Sequence, residues 1–137
     1  MKILPAILIL ALPAISLAAE TVECPLTLPG ESVMVFAPDG WTGGQSKMSM
    51  ALTEFGMMGG APETKNYLRP KETKTNKSVT HATWRFEPTQ EKWLFCRYGF
   101  SNAFQISKRL DDANSECTIR HVEDKTGNII SAAVTCS

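Results

Sequence analysis

Short runs in which apolar and polar residues alternate occupy most of the chain from residue 47 to its end. A period of two predicts β-strands that have one buried face and one solvated face. Residues typical of turns separate the runs. The predicted strands cover residues 47–57, 78–87, 92–98, 103–110, 115–123 and 128–136. This spacing predicts a mainly β fold, which is an antiparallel sheet, a barrel-like sheet or a small sandwich.

The alternation also indicates which side chains face the core. Trp84 and Phe86 fall on one face of their predicted strand, and we expect that face to be buried. Met48 shares a face with Leu52, which is typical of a core-facing strand. One short helix is possible around residues 61–68, but a helix of this length is marginal on its own.

The last two predicted strands form a hairpin whose register can be read from the sequence. A turn centred on Thr126 and Gly127 places Cys117 opposite Cys136 and collects the apolar residues on one face. A slip of one residue would mix the two faces, so burial fixes the register. Opposed residues of the closely spaced kind lie about 4.5 Å apart at Cα. That distance allows a disulfide between the two cysteines.

The four cysteines show no C-x-x-C spacing of the kind that zinc and redox sites use. Three disulfide pairings are possible, and the hairpin register favours Cys117–Cys136. The second bridge is then Cys24–Cys96, which ties the N-terminal region to a central strand. The sequence therefore predicts two disulfides, which persist in oxidising compartments.

The first 18 residues have the features of a secretory signal peptide. Lys2 is followed by an apolar run over residues 3–15, and Ser16-Leu17-Ala18 is a typical cleavage site. We therefore expect residues 19–137 to form one disulfide-bonded β domain in the periplasm, with secretion as an alternative. No later run approaches the roughly 20 apolar residues of a spanning helix, so no membrane insertion is predicted.

Charge narrows the class of partner. The chain has 14 basic and 14 acidic residues, and removal of the leader takes away only Lys2. A nearly neutral chain argues against nucleic-acid binding, which needs a basic excess.

Residues 65–77 are nevertheless locally basic. This composition is typical of a solvated loop, but it also suits the binding of an acidic partner. The candidate partner-binding residues are Lys65, Arg69, Lys71, Lys74 and Lys77.

Two chemical functions are possible alternatives. Thioether ligands select Cu(I), so the clustered methionines could bind copper, although packing is the usual reason for methionine and is favoured here. His81 and His121 are the only histidines, and the sequence has no G-x-S-x-G motif. We therefore predict no catalytic residue, no metal site and no cofactor. The second alternative to a binding protein is a small hydrolase that uses two carboxylates. The five methionines after the leader are Met34, Met48, Met50, Met57 and Met58.

Six short segments together carry a family resemblance. They are Cys24-Pro25, Gly60-Ala61-Pro62-Glu63 with Leu68-x-Pro70, Trp84, Trp93-Leu94-Phe95-Cys96-Arg97-Tyr98, Arg109-Leu110 and Cys117. In these segments the chain resembles a family of small exported, cysteine-containing, β-rich proteins of Gram-negative bacteria. That family is known by a Salmonella locus tag, and some members lie near type VI secretion genes. The resemblance implies export, disulfides and a β fold, but no defined activity.

These observations together predict a protein-binding module of the immunity or inhibitor type. The expected partner is another protein, either an envelope enzyme or an incoming effector. In size and bridging the chain is similar to exported immunity proteins that block lipase or wall-cutting effectors, and to periplasmic lysozyme inhibitors.

Overall fold

The computed structural model of the protein describes residues 19–137, and the predicted signal peptide lies outside them. These described residues form ten β-strands and three short 3-10 turns, at Gly30–Ser32, Pro62–Thr64 and Phe100–Asn102. The strands are β1 (Glu20–Glu23), β2 (Thr27–Leu28), β3 (Met50–Met58), β4 (Tyr67–Leu68), β5 (Glu72–Asn76), β6 (Val79–Arg85), β7 (Trp93–Tyr98), β8 (Phe104–Arg109), β9 (Glu116–Glu123) and β10 (Ile129–Cys136). No helix among the described residues is long and apolar enough to cross a membrane.

Two antiparallel sheets pack face to face. Sheet 1 has the strand order β1-β10-β9-β6-β5, and sheet 2 has the order β2-β3-β7-β8, with β4 also paired to β3. Neither sheet closes into a barrel, so the mainly β fold is confirmed in its sandwich form. Strands β4 and β5 lie at one side of the sandwich. At the other side, β1 and β8 line a cleft of about 360 Å³.

The core lies between the inner faces of the two sheets. Trp84 and Phe86 are buried, at 5% and 7% exposure, as the alternation predicts. Sheet 2 contributes side chains from β3 and β7, where every second residue points inward. The other buried side chains between the sheets include Leu52, Met57, Leu94, Tyr98, Ile119, Ala132 and Val134.

The β9–β10 hairpin has the register that the sequence predicts. Cys117 pairs with Cys136 at a Cα–Cα distance of 4.1 Å, and the two form a disulfide. The turn is organised by the Asp124 carboxylate, which accepts hydrogen bonds from the side chain and backbone of both Thr126 and Asn128. These bonds hold the pKa of Asp124 well below its usual range. Gly127 supplies the left-handed conformation, with φ of +83°, that closes the turn.

The second disulfide, Cys24–Cys96, links the two sheets. The backbone N–H of Cys24 donates to the carbonyl of Ala132, so this residue continues the edge of sheet 1. Its partner Cys96 lies on β7 in sheet 2, and the Cα–Cα distance is 5.8 Å. Nearby, the Tyr98 hydroxyl donates to the carbonyl of Pro25 at 2.8 Å. The N-terminal segment is therefore attached to the central strand of the opposite sheet by a covalent bond and a buried hydrogen bond.

The short helix expected around residues 61–68 is reduced to the single 3-10 turn Pro62–Thr64. Lys65 follows the turn in a left-handed conformation with φ of 52°, which ends it. The chain then enters β4, where Leu68 pairs with Met57 of β3 and accepts a hydrogen bond from Trp84 Nε1. Pairing with sheet 2 therefore outweighs the weak helical preference of this segment.

The predicted core position of Met48 is wrong. The residue precedes β3, which begins at Met50, and it is 76% exposed. A bulge between Leu52 and Glu54 then shifts the alternation along β3. As a result Met57 packs in the core, whereas Met58 lies on the outer face, where Gln105 Nε2 approaches its sulfur at 3.7 Å.

Candidate partner-binding surfaces

The basic segment predicted as a binding site runs from sheet 2 to sheet 1 along one side of the sandwich. Lys65 precedes β4, and Lys71 follows it, where its backbone N–H donates to the carbonyl of Thr83. The segment then becomes β5, the edge strand of sheet 1. All five candidate residues are exposed, and we call them the basic edge: Lys65, Arg69, Lys71, Lys74 and Lys77.

Most of the positive charge on the basic edge has no acidic neighbour. Lys74 forms an ion pair with Glu72 at 2.9 Å, which lowers the pKa of that carboxyl. The Lys74 side chain is 74% exposed, so this pair contributes little to stability. Within residues 19–137, the other four cations have no carboxylate within 4.0 Å. Lysines on an edge strand also discourage pairing with other chains, so part of this charge protects the edge.

A second surface, on the outer face of sheet 2, is a cluster that the sequence did not reveal. The Arg97 guanidinium lies 4.4 Å from the centre of the Tyr67 ring and 4.8 Å from that of Phe95. It donates to Glu54 at 2.6 Å and to Gln105 at 3.0 Å. Residues of these types, held rigidly, commonly dominate protein interfaces. The only sequence signal is that apolar residues occupy both faces of β7, which indicates a strand covered on both sides.

A third surface is the loop that precedes β3. It exposes large apolar side chains, with Phe36 at 89% and Trp41 at 78% exposure. Part of the loop lies beside β8, where Met34 and Phe36 line a groove with Phe104 and Ile106. Exposed apolar grooves of this kind are common at interaction sites.

Lys92 is a buried cation whose role is structural. Its ammonium donates to the carbonyls of Gln90 and Asp112, at 2.8 and 2.6 Å, and lies 5.3 Å from the centre of the Phe86 ring. The side chain is 0% exposed. It therefore joins the loop before β7 to the loop before β9, at one end of the sandwich.

Replacement of Lys92 by methionine keeps much of the side-chain volume but removes the ammonium group. We expect Lys92→Met to lower the free energy of unfolding by about 2–3 kcal/mol, because two partly buried carbonyls lose a charged donor. Urea denaturation measures the change. As a control, Lys47→Met at an exposed position should change stability by no more than about 0.5 kcal/mol. Equal urea denaturation midpoints for Lys92→Met and Lys47→Met would contradict the structural role of Lys92.

The groups considered for chemistry do not converge. Met57 and Met58 point to opposite faces of β3, and Met48 is solvent-exposed. His81 lies on the outer face of sheet 1, whereas the His121 ring packs inside, 4.9 Å from the ring of Phe55. In the described part of the chain, no three residues of the types His, Cys, Asp and Glu are placed to hold a metal ion. These positions give no support to the copper or hydrolase alternatives.

Comparison with known proteins identifies the family. A model described as "Type VI secretion system Tli immunity protein" matches residues 46–137, which is more than half of the chain. The match runs from just before β3 to the end of β10 and includes the whole basic edge. No curated protein and no solved structure gives a significant match. The link to type VI secretion that the resemblance implied is therefore confirmed, and the chain belongs to the family of type VI secretion system Tli immunity proteins, which makes it a protein-binding module of the immunity type.

Proposed function

We propose that this protein protects the cell that makes it by binding a type VI secretion effector in the periplasm and blocking its action. The observation that carries the proposal is the family match over residues 46–137. That region contains eight of the ten strands, and therefore most of both sheets. The protein acts in this account as a folded surface that covers a partner, rather than as a catalyst.

The disulfides support a periplasmic site of action. All four cysteines are buried, at 4% exposure or less, and all are bridged. Structural disulfides of this kind persist in oxidising compartments such as the periplasm. The predicted signal peptide, residues 1–18, would deliver the chain there. The finer resemblance to the family with a Salmonella locus tag stays a prediction.

The basic edge is the part of the surface that we propose contacts the effector. Four of its five cations have no carboxylate within 4.0 Å among residues 19–137, so they can pair with acidic residues of a partner. Charges on an exposed rim accelerate association and help to select the correct partner. Because the segment is attached at β4 and β5, its backbone is ordered before binding, which reduces the entropy lost on association.

Co-expression in a susceptible bacterial host tests the function. The cognate type VI secretion effector, fused to an export signal, should stop growth, and the full-length immunity protein should restore it. A version that lacks residues 1–18 should remain in the cytoplasm and fail to protect, although purified residues 19–137 should still bind the effector. Growth arrest that the full-length protein does not relieve would contradict the proposed function. Equal protection by the version without residues 1–18 would contradict only the compartment.

A further inference from the structure

The outer face of sheet 1 contains a row of basic side chains that crosses three strands. In the strand register, Lys74 of β5 lies opposite His81 of β6, and His81 lies opposite Arg120 of β9. Directly opposed residues have Cβ atoms about 4.5–5.5 Å apart and point to the same face. All three side chains are exposed. We call these three residues the basic row.

The basic row lacks the charge pairing found elsewhere on the same face. Two outward-facing rows away, four residues along β6 from His81, Arg85 pairs with Glu116 at 2.9 Å. In the basic row only Lys74 has an acidic neighbour, Glu72. Neither His81 nor Arg120 has a carboxylate within 4.0 Å anywhere in residues 19–137. Arg120 therefore has a positive charge that no carboxylate of the described residues neutralises, and a carboxylate of a partner could fill this role.

The surroundings of the basic row suit a flat protein contact. The next outward-facing row begins with Glu72 on β5 and continues with threonines, in which the Thr83 and Thr118 hydroxyls are 3.0 Å apart. Beyond Arg120 the basic row continues with Ala133, a short side chain, and ends at Glu23 on β1, at the far edge of the sheet. These small or β-branched side chains lose little conformational freedom when a partner covers them. Arg120 is therefore the longest side chain among its outward-facing neighbours on β6, β9 and β10.

The basic row is continuous with the basic edge because Lys74 belongs to both. Together they form a basic surface that begins at β4, includes β5 and extends across three of the five strands of sheet 1. The rest of the protein does not have this excess, since the whole chain contains equal numbers of basic and acidic residues. The chemistry complementary to such a surface is a cluster of aspartate and glutamate side chains on a folded protein.

We propose that the outer face of sheet 1, centred on His81 and Arg120, docks against an acidic face of the effector. This inference rests on the proposed function and specifies the surface and its partner's charge. The basic edge then forms the rim of the contact, and the basic row lies inside it. On binding, His81 and Arg120 gain acidic neighbours, which the described residues of the free protein do not place within 4.0 Å of them.

The test compares charge reversal at two sides of the sandwich. We expect Arg120→Glu combined with His81→Glu to weaken binding of the purified effector by about 100-fold. The matched control, Lys108→Glu on β8 at the opposite side, should change the dissociation constant by less than about threefold. Arg120→Gln removes the charge without adding repulsion and should cause an intermediate loss. Raised salt should weaken the native complex more than the complex of the double variant.

Folding of the variants can be checked independently. Because Arg120 is exposed and has no ion-pair partner within residues 19–137, the urea midpoint of Arg120→Glu should be nearly unchanged. If the native protein binds the effector and the double variant binds equally well, the surface is wrong and the proposed function stands. An equal loss of effector binding in Lys108→Glu would also contradict the assignment of the binding surface to sheet 1. Failure of the native protein to bind would instead contradict the proposed function itself.

Discussion

Replacing Cys24 and Cys96 together by serine is expected to lower the free energy of unfolding by about 4 kcal/mol. The bridge closes a chain segment with a sequence separation of 72 residues, so its loss frees a large part of the unfolded chain. It is also the covalent link between the first strand of sheet 1 and the centre of sheet 2. Domains of this size are stable by only about 5–15 kcal/mol, so the variant should unfold at a much lower urea concentration.

The second bridge provides the matched comparison. Cys117 and Cys136 are separated by 19 residues and lie in a hairpin that backbone pairing already holds together. Their replacement by serine should cost about 3 kcal/mol, less than the loss of the long-range bridge. Urea denaturation of the native protein and of both variants, each in oxidised form, measures the order of their stabilities. An unchanged midpoint for the Cys24/Cys96 variant, or the reverse order, would contradict the structural role given to this bridge.

Reversing charge along the basic edge is expected to weaken effector binding by about 100-fold, or about 2.7 kcal/mol. The variant combines Arg69→Glu, Lys71→Glu and Lys77→Glu. None of these side chains has an ion-pair partner within residues 19–137, so the substitutions leave the folded contacts intact. Most of the loss should appear as a slower association rate, because exposed charges act mainly on encounter. Surface plasmon resonance with immobilised effector measures the association rate and the dissociation rate separately.

A control with the same change in net charge tests whether position matters. Lys47→Glu, Lys108→Glu and Arg109→Glu are exposed substitutions away from the basic edge, and the exposed ion pairs of Arg109 contribute little to stability. This control triple should alter the dissociation constant by less than about fivefold. If both triples weaken binding equally, net charge rather than the basic edge governs association. If neither does, the effector binds another surface, such as the Arg97 cluster on sheet 2.

The elements that could be predicted from sequence are those with a local signal. Period-two alternation located the six longest strands, because one buried face imposes that pattern. The β9–β10 register followed from keeping Cys117, Ile119 and their partners on one face. The two disulfides followed from that register. In the structure both bridges form between the same residues.

The features that could not be predicted depend on contacts between distant segments. The two-residue strands β2 and β4 are too short to show any alternation. The bulge in β3 reverses the faces of Met57 and Met58, and nothing in the local pattern marks it. Burial of Lys92 requires two loops, at Gln90 and Asp112, to supply carbonyl groups. The basic row arises because β5, β6 and β9 become neighbours, and sequence order alone does not show this.

The most direct measurement of the central claim is a titration of effector activity with this protein. Purified effector, assayed on its own substrate, receives increasing amounts of residues 19–137 in oxidised form. The account predicts that activity falls linearly and is lost near one equivalent, together with the appearance of a stable complex by size-exclusion chromatography. Full effector activity in the presence of a large excess of the folded protein would contradict the account.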